Sequence, residues 1–375
     1  MKLDQRLTNV SVIGAAGKMG SGIALLMAHE MYLQKMNPQN AGKPFRLNLI
    51  DVNEEALDGL IEYLRSQSVK KGEKSIVMLR NIYANDSGLV ENTEIIQKYV
   101  DGVMAIIRAS TDMRMAEKSH LVFEAVVENI DLKIELFGKL NKLCGENTYF
   151  FTNTSSIPIH LLNNGAGLNG RIIGFHFYNP PAVQKLAEII PARETRSDLK
   201  EMALEIGKRL GKKIYLSADV AGFIGNGHFL RDALHAISEV RRLQKEHSMS
   251  EAIYIINKVS QDLLVRPMGI FQLMDYVGVD VMHFISKIMN KYIDGEDLSD
   301  ELIDSMYQKK VMGGQRSDGS QKDGFFKYER NRPVAVYDPE NDNYVAFNEN
   351  GFSEKLDRKI GDYPENWTPW KGLLT

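Results

Sequence analysis

Short runs of branched and aromatic residues alternate with amphipathic stretches over roughly the first 218 residues, and only amphipathic stretches follow for the next hundred. Residues 9–13 (NVSVI) run into a glycine and read as a buried strand. Residues 20–29 read as a helix, and 46–52 (RLNLIDV) as a second strand ending in an acid. Residues 54–65 carry Leu57, Leu60, Ile61 and Leu64 at helical spacing, and 66–101 predict helix with interruptions. A buried strand is expected at 120–127 (HLVFEAVV), an amphipathic helix at 131–143, and two more strands at 149–152 and 171–177. A helix at 199–210 and a strand at 213–216 complete the series. Strands alternating with helices imply βαβ units and a mostly parallel sheet.

After Asp219 the pattern predicts helices at 223–245, 250–263 and 268–289, which marks a boundary near 215–220. Two short apolar runs, 334–337 and 344–347, flank a turn-rich stretch and predict a hairpin. Tyr363, Trp367 and Trp370 among prolines read as an extended strap. The expected domains are 1–218, 219–330 and an extension at 331–375. No internal repeat or low-complexity tract is visible.

Composition narrows the class. The 375 residues are 43% apolar and 25% charged, the balance of a soluble globular protein. One cysteine, Cys144, excludes an internal disulfide and a CxxC metal site. Net charge is −3, from 46 Lys+Arg against 49 Asp+Glu, with no long basic run, so neither nucleic acid nor an anionic membrane is an expected partner. No stretch approaches the ~18 apolar residues of a membrane span, and the N-terminus lacks a secretory pattern. A cytoplasmic protein is expected.

The first strand opens into Gly14-Ala15-Ala16-Gly17-Lys18-Met19-Gly20. Glycine allows positive φ and close backbone approach, and a helix starting there aims free N–H groups at a pyrophosphate. The spacing is G-x-x-G-x-x-G rather than G-x-G-x-x-G, and a tight strand–helix turn also selects glycine. The context favours dinucleotide binding. Asp51 ends the second strand, where an acid would bond the adenosine ribose; no Arg or Lys follows in Val52-Asn53-Glu54, which favours NAD over NADP. Asp51 and Asn53 also suit a helix cap. Gly14 and Asp51 are 37 positions apart, against the ~20 of the usual fingerprint. Either an insertion lies within 29–44 or Asp51 is misassigned.

The specific signal lies at 151–188: Thr152-Asn153-Thr154-Ser155-Ser156, then Gly174-Phe175-His176-Phe177-Tyr178-Asn179-Pro180, then Glu188 twelve residues past the histidine. With Glu124…Glu128-Asn129, Lys133, Gly222-Phe223-Ile224-x-Asn226 and Arg266-Pro267-Met268-Gly269…Asp275, these residues resemble the L-3-hydroxyacyl-CoA dehydrogenases, including the 3-hydroxybutyryl-CoA dehydrogenases. That family shows SNTSS, G-x-HFFNP and a glutamate at the same distance. The chain departs from it with Ala221 for a usual Pro, Gly227 for Arg and Ile270 for Pro.

The resemblance implies a Rossmann-like, doubly wound, mostly parallel sheet followed by an all-helical C-terminal domain, here with an extra hairpin and strap. It implies His176 as the catalytic base, Glu188 as its partner, Ser155 and Asn226 as donors to substrate oxygens, and Asn179 as a supporting group. Cofactor residues would be Gly14, Gly17, Lys18, Met19, Gly20, Asp51, Glu128, Lys133 and Asn153, with NAD as cofactor and no metal. It further implies a homodimer through the helical domain and an acyl-CoA substrate, in fatty-acid β-oxidation or butyrate-type metabolism. A helical pair within 53–101 folded over the cleft would favour CoA, and an open, shallow cleft there a small hydroxy acid such as gulonate. A non-enzymatic nucleotide-binding protein is the remaining alternative, and a lone histidine among aromatics can be a core residue. The remaining histidines show no metal spacing and read as structural.

Overall fold

The computed structural model describes residues 1–264, 266–316 and 319–361; the expected strap at Tyr363, Trp367 and Trp370 lies outside these. Residues 1–224 form one compact unit and the described residues from Gly225 onwards a second.

The first unit is built on eight strands: β1 (Asn9–Ile13), β2 (Arg46–Ile50), β3 (Ile107–Ser110), β4 (Leu121–Glu124), β5 (Tyr149–Thr152), β6 (Ile172–Phe177), β7 (Leu186–Ile190) and β8 (Lys213–Leu216). Their order is β3-β2-β1-β4-β5-β6-β7-β8, and every neighbouring pair is parallel except β6 with β7. The helices are α1 (Leu3–Arg6), α2 (Lys18–Met36), α3 (Glu54–Lys74), α4 (Ile76–Ile82), α5 (Asn92–Ala105), α6 (Ile130–Leu143), α7 (Ile159–Gly165) and α8 (Ser197–Arg209). Strands β4, β5 and β6 are buried at every position, the pattern of a sheet covered on both faces. Phe123, Phe151, Phe175 and Phe177 form a continuous aromatic core across them, with stacked pairs at 4.6 Å.

Several bounds differ from the sequence pattern. Helix α2 extends well past residue 29 to Met36, because Met31 and Tyr32 continue its buried face until Asn37-Pro38 stop it. This extension and the turn and loop at 37–45 together account for the long interval between Gly14 and Asp51, and the pairing of Ile13 with Ile50 keeps Asp51 beside the glycine loop. Strand β2 stops at Ile50; Val52 is 97% exposed. Strands β3 and β7 and helix α7 are additions.

The polar stretch 66–101 is helical, as expected, with α3 packed on α5. Ser68 and Gly72 continue the buried stripe of Leu57, Leu60 and Leu64, and a Cβ at Gly72 would press on Ile96 and Tyr99. His29 of α2 bonds Ser68 Oγ at 3.1 Å and lies 6.0 Å from the Tyr99 ring.

The second unit contains α9 (Gly225–Leu243), α10 (Met249–Asp262), α11 (Ile270–Val277), α12 (Val279–Tyr292), α13 (Glu301–Gln308) and α14 (Phe352–Ile360). The single helix expected at 268–289 is two, broken at Gly278, whose φ of 106° no other residue adopts easily. Strands β9 (Phe326–Glu329), β10 (Arg332–Asp338) and β11 (Asn343–Ala346) form an antiparallel sheet that contains the expected hairpin. Asp275 of α11 anchors it, accepting from the N–H groups of Phe325 (2.6 Å) and Phe326 (2.9 Å) and from Tyr328 Oη (2.9 Å). No helix among the described residues is long and apolar enough to cross a membrane.

Burial, followed by the charge of Lys71, lowers the His29 pKa from 6.5 to about 4. A depressed histidine stays neutral in the fold while the unfolded chain takes up a proton, so stability falls as pH drops from about 6.5 to about 4. Urea denaturation at pH 7 and pH 4.5 should therefore show His29→Gln losing about 2–3 kcal/mol less than the wild type over that interval.

Candidate active site

The C-terminal ends of the parallel strands carry the polar residues, as expected for ligand binding in an open α/β sheet. Gly14 follows β1 with φ of 73°, and a Cβ there would lie 2.7 Å from Ala125 O. Gly20 sits in the first turn of α2 so close to the loop that a Cβ would meet Gly14 O at 1.9 Å. Gly17 precedes α2 as its N-cap, and Lys18 is the exposed first residue of the helix. The first N–H groups of α2 have no intrahelical acceptor and carry the positive end of the helix dipole. Met19 packs against the core.

Asp51 Oδ2 accepts from Ala16 N at 2.9 Å and so ties the end of β2 to the glycine loop. The cap of α3 is Asn53, whose Oδ1 accepts from Ala56 N at 3.0 Å. These segments border a cavity of about 660 Å³, with Gly14, Gly17, Asp51, Thr111, Ala125 and Val127 among its lining residues. It lies where β1 separates β2 from β4, the point at which the strand order reverses. A largely apolar cavity with an acid at one end and a glycine cradle at the other fits a dinucleotide: the cavity suits adenine, Asp51 a ribose, and the α2 N-terminus a pyrophosphate.

Beyond β4 the chain builds a buried ionic cluster. Glu124 is fully buried and accepts from Val126 N (2.7 Å), Thr152 Oγ1 (2.6 Å) and Lys133 Nζ (2.5 Å). Lys133 is 1% exposed, and its Nζ is also 3.5 Å from Glu128 Oε2. Burial alone would lower its pKa, but Glu124 and Glu128 outweigh that and hold it above the usual lysine value. Glu128 Oε1 accepts from Thr154 Oγ1 (2.6 Å), Ser155 N (2.9 Å) and Ser156 N (3.1 Å). Lys133 therefore fixes two carboxylates, and Glu128 in turn shapes the turn that presents Ser155. Asn153 Oδ1 accepts from Phe177 N at 2.9 Å, pinning the end of β5 to the end of β6.

His176 and Glu188 are directly opposite one another in the antiparallel β6–β7 pair. Eight residues connect these strands, too few for the crossover that a parallel pairing needs. The histidine is 7% exposed and the glutamate 1%. Glu188 Oε2 is 3.9 Å from His176 Nδ1, which has no hydrogen-bond partner among the described residues, and 3.3 Å from Ile224 N. Glu188 Oε1 accepts from Tyr178 Oη. Asn179 Oδ1 is likewise buried without a hydrogen-bond partner among the described residues, and Asn179 precedes a cis proline. Asn226 lies in the first turn of α9, in the second unit.

Sequence reasoning did not assign roles to Glu124, Thr152, Thr154 or Tyr178. Glu124 and Thr152 are ordinary end-of-strand residues and Thr154 lies in the loop after β5, and their partners come from other elements. Tyr178 carried a signal, a hydroxyl where the resembling motif has phenylalanine. No cluster of three or more metal-ligating side chains occurs among the described residues.

A doubly wound sheet with this loop, cavity and acid has the form of a dinucleotide-binding protein. The profile described as "3-hydroxyacyl-CoA dehydrogenase, NAD binding domain" matches residues 9–220, and that described as "3-hydroxyacyl-CoA dehydrogenase, C-terminal domain" matches 222–328. The chain is 30% identical over 325 residues to the mitochondrial hydroxyacyl-coenzyme A dehydrogenase of Sus scrofa, covering 85% of this chain and 91% of the relative. It is 29% identical over 282 residues to the probable 3-hydroxybutyryl-CoA dehydrogenase of Bacillus subtilis (strain 168), covering 74% and 84%. Among solved structures, M. tuberculosis FadB2 superposes with a TM-score of 0.65 at 25% identity, covering 86% of this chain and 99% of that one. The chain belongs to the 3-hydroxyacyl-CoA dehydrogenase family and is an NAD-dependent oxidoreductase.

A Cβ at position 20 has only loop backbone to displace. Gly20→Ala should weaken NADH binding by at least about tenfold, measured by fluorescence titration, through distortion of the loop rather than loss of a side chain.

Proposed function

We propose that this enzyme interconverts (S)-3-hydroxyacyl-CoA and 3-oxoacyl-CoA, with His176 as the proton-transferring residue and Glu188 as its partner. The observation that carries this reading is the register: a nearly buried imidazole directly across from a buried carboxylate, with the facing ring nitrogen lacking a hydrogen-bond partner among the described residues. Nδ1–H would donate to Glu188, which leaves Nε2 to take the proton of the 3-hydroxyl. Catalytic hydrogen bonds are often long before substrate binds, so 3.9 Å is compatible with this pair. The α2 N-terminus, Gly14, Gly17, Gly20 and Asp51 would hold NAD, which when bound would supply the acceptor for the hydride leaving C3.

As the hydride leaves, the C3–O bond becomes a carbonyl and the imidazolium on His176 is stabilised by Glu188. Ser155 and Asn226 are the proposed donors to the substrate oxygens, with Asn179 in support. Glu128 and Asn153 hold the nicotinamide side of the site, and Lys133 fixes Glu128. The match to both 3-hydroxyacyl-CoA dehydrogenase domains supports a CoA ester over a small hydroxy acid. The reaction is the hydroxyl-oxidising step of fatty-acid β-oxidation, or its reverse in butyrate-type metabolism. A homodimer formed through the second unit is part of the same proposal.

His176→Ala should lower turnover of acetoacetyl-CoA with NADH by roughly 10²–10⁴, with NADH affinity unchanged. Wild-type inactivity on a panel of 3-oxoacyl-CoA chain lengths, with turnover of gulonate, would overturn the substrate. Sedimentation equilibrium should return twice the chain mass; a monomer at micromolar concentration would overturn the dimer.

A further inference from the structure

We propose that Tyr178 is a positioning residue for the reaction: its hydroxyl holds one oxygen of Glu188 and so limits how strongly that carboxylate serves His176. This rests on the reading of His176 as the base. Tyr178 follows His176 by two positions, the interval that returns a side chain to the same side of an extended chain. The two rings lie 5.0 Å apart with planes at 38°, and the phenol donates to Glu188 Oε1. Burial, then the hydrogen bond to Glu188 and its charge, raise the phenol's pKa, so it remains a donor throughout the working pH range.

The carboxylate is thus held at Oε1 by Tyr178 and approached at Oε2 by Ile224 N–H at 3.3 Å, while His176 Nδ1 waits at 3.9 Å. A carboxylate that shares its charge with a phenol donor is a weaker partner for an imidazolium. Groups facing the pair include Tyr178 after β6, Tyr215 opposite Glu188 on β8, and the uncharged ring of Phe223 at 6.2 Å from His176. Tyr178 bonds the carboxylate and lies against the imidazole, so it touches both members. The resembling motif has phenylalanine at this position, so removal of the hydroxyl is compatible with the fold.

The test is Tyr178→Phe in the full chain. With the phenol gone, Glu188 directs more of its charge at His176, the imidazolium is stabilised and its proton is held more tightly. The acid limb of kcat/KM in the oxidising direction should move upward by about half to one pH unit, with NADH affinity unchanged. NMR titration of the His176 ring should show the same upward move, a readout that survives loss of turnover. In a Glu188→Gln background the added Tyr178→Phe change should leave the ring titration where it was. An unmoved acid limb and ring titration in Tyr178→Phe, with only a lower melting temperature, would reduce Tyr178 to a structural role and overturn the inference. A move that persists with Glu188→Gln would overturn the route through the carboxylate. Wild-type turnover by His176→Ala would instead overturn the base assignment itself.

Discussion

The reversal of chain direction between β6 and β7 is the constraint on which the rest of the site depends. Its short connection forbids a crossover, so β7 must run back along β6. Antiparallel register then pairs residues whose numbers have a constant sum, and His176 meets Glu188 for the same reason that Gly174 meets Ile190. The twelve-residue interval in the sequence is a register statement. The pairing also buries a carboxylate at 1% exposure, which is costly unless its oxygens are bonded. Tyr178 and Ile224 supply donors for it.

The cofactor side is held by a different device. Glu124, Lys133 and Glu128 form a buried ionic cluster that joins the end of β4 to α6, to Thr152 at the end of β5 and to the turn at Ser155. Removing one partner of such a cluster leaves an uncompensated buried charge, which typically costs 3–5 kcal/mol. The same loops carry Ala125 against Gly14, so the glycine loop, the ionic cluster and the Ser155 turn share one rigid support. Asp51 adds to it through Ala16.

Most of the first unit was legible because its strands are short, apolar and bounded, and its helices have clear buried faces. The misses are informative. Strand β3 has only one buried residue in four, so its sequence carries no strand pattern. Strand β7 reads LAEII, with its acid at the centre, and was visible as a motif before it was visible as a strand. Helix α2 ran longer than its first stripe because Tyr32 finds a partner in Tyr83, far along the chain, at 2.8 Å between hydroxyls. The break at Gly278 lies within an unbroken apolar period, and only the backbone angle reveals it.

The sequence by itself determined most of the strands and helices of the first unit, the change of pattern near residue 220, the glycine loop, and the presence of a histidine and a glutamate at a fixed interval. These are local properties, set by periodicity and by the conformations that glycine and proline permit. Tertiary structure decided which groups bond to which: that Lys133 fixes two carboxylates, that Asn53 rather than Asp51 caps α3, and that Tyr178 and Ile224 approach the oxygens of Glu188. Those choices join residues distant in sequence, and a buried polar atom takes whichever partner the packing brings within hydrogen-bond reach.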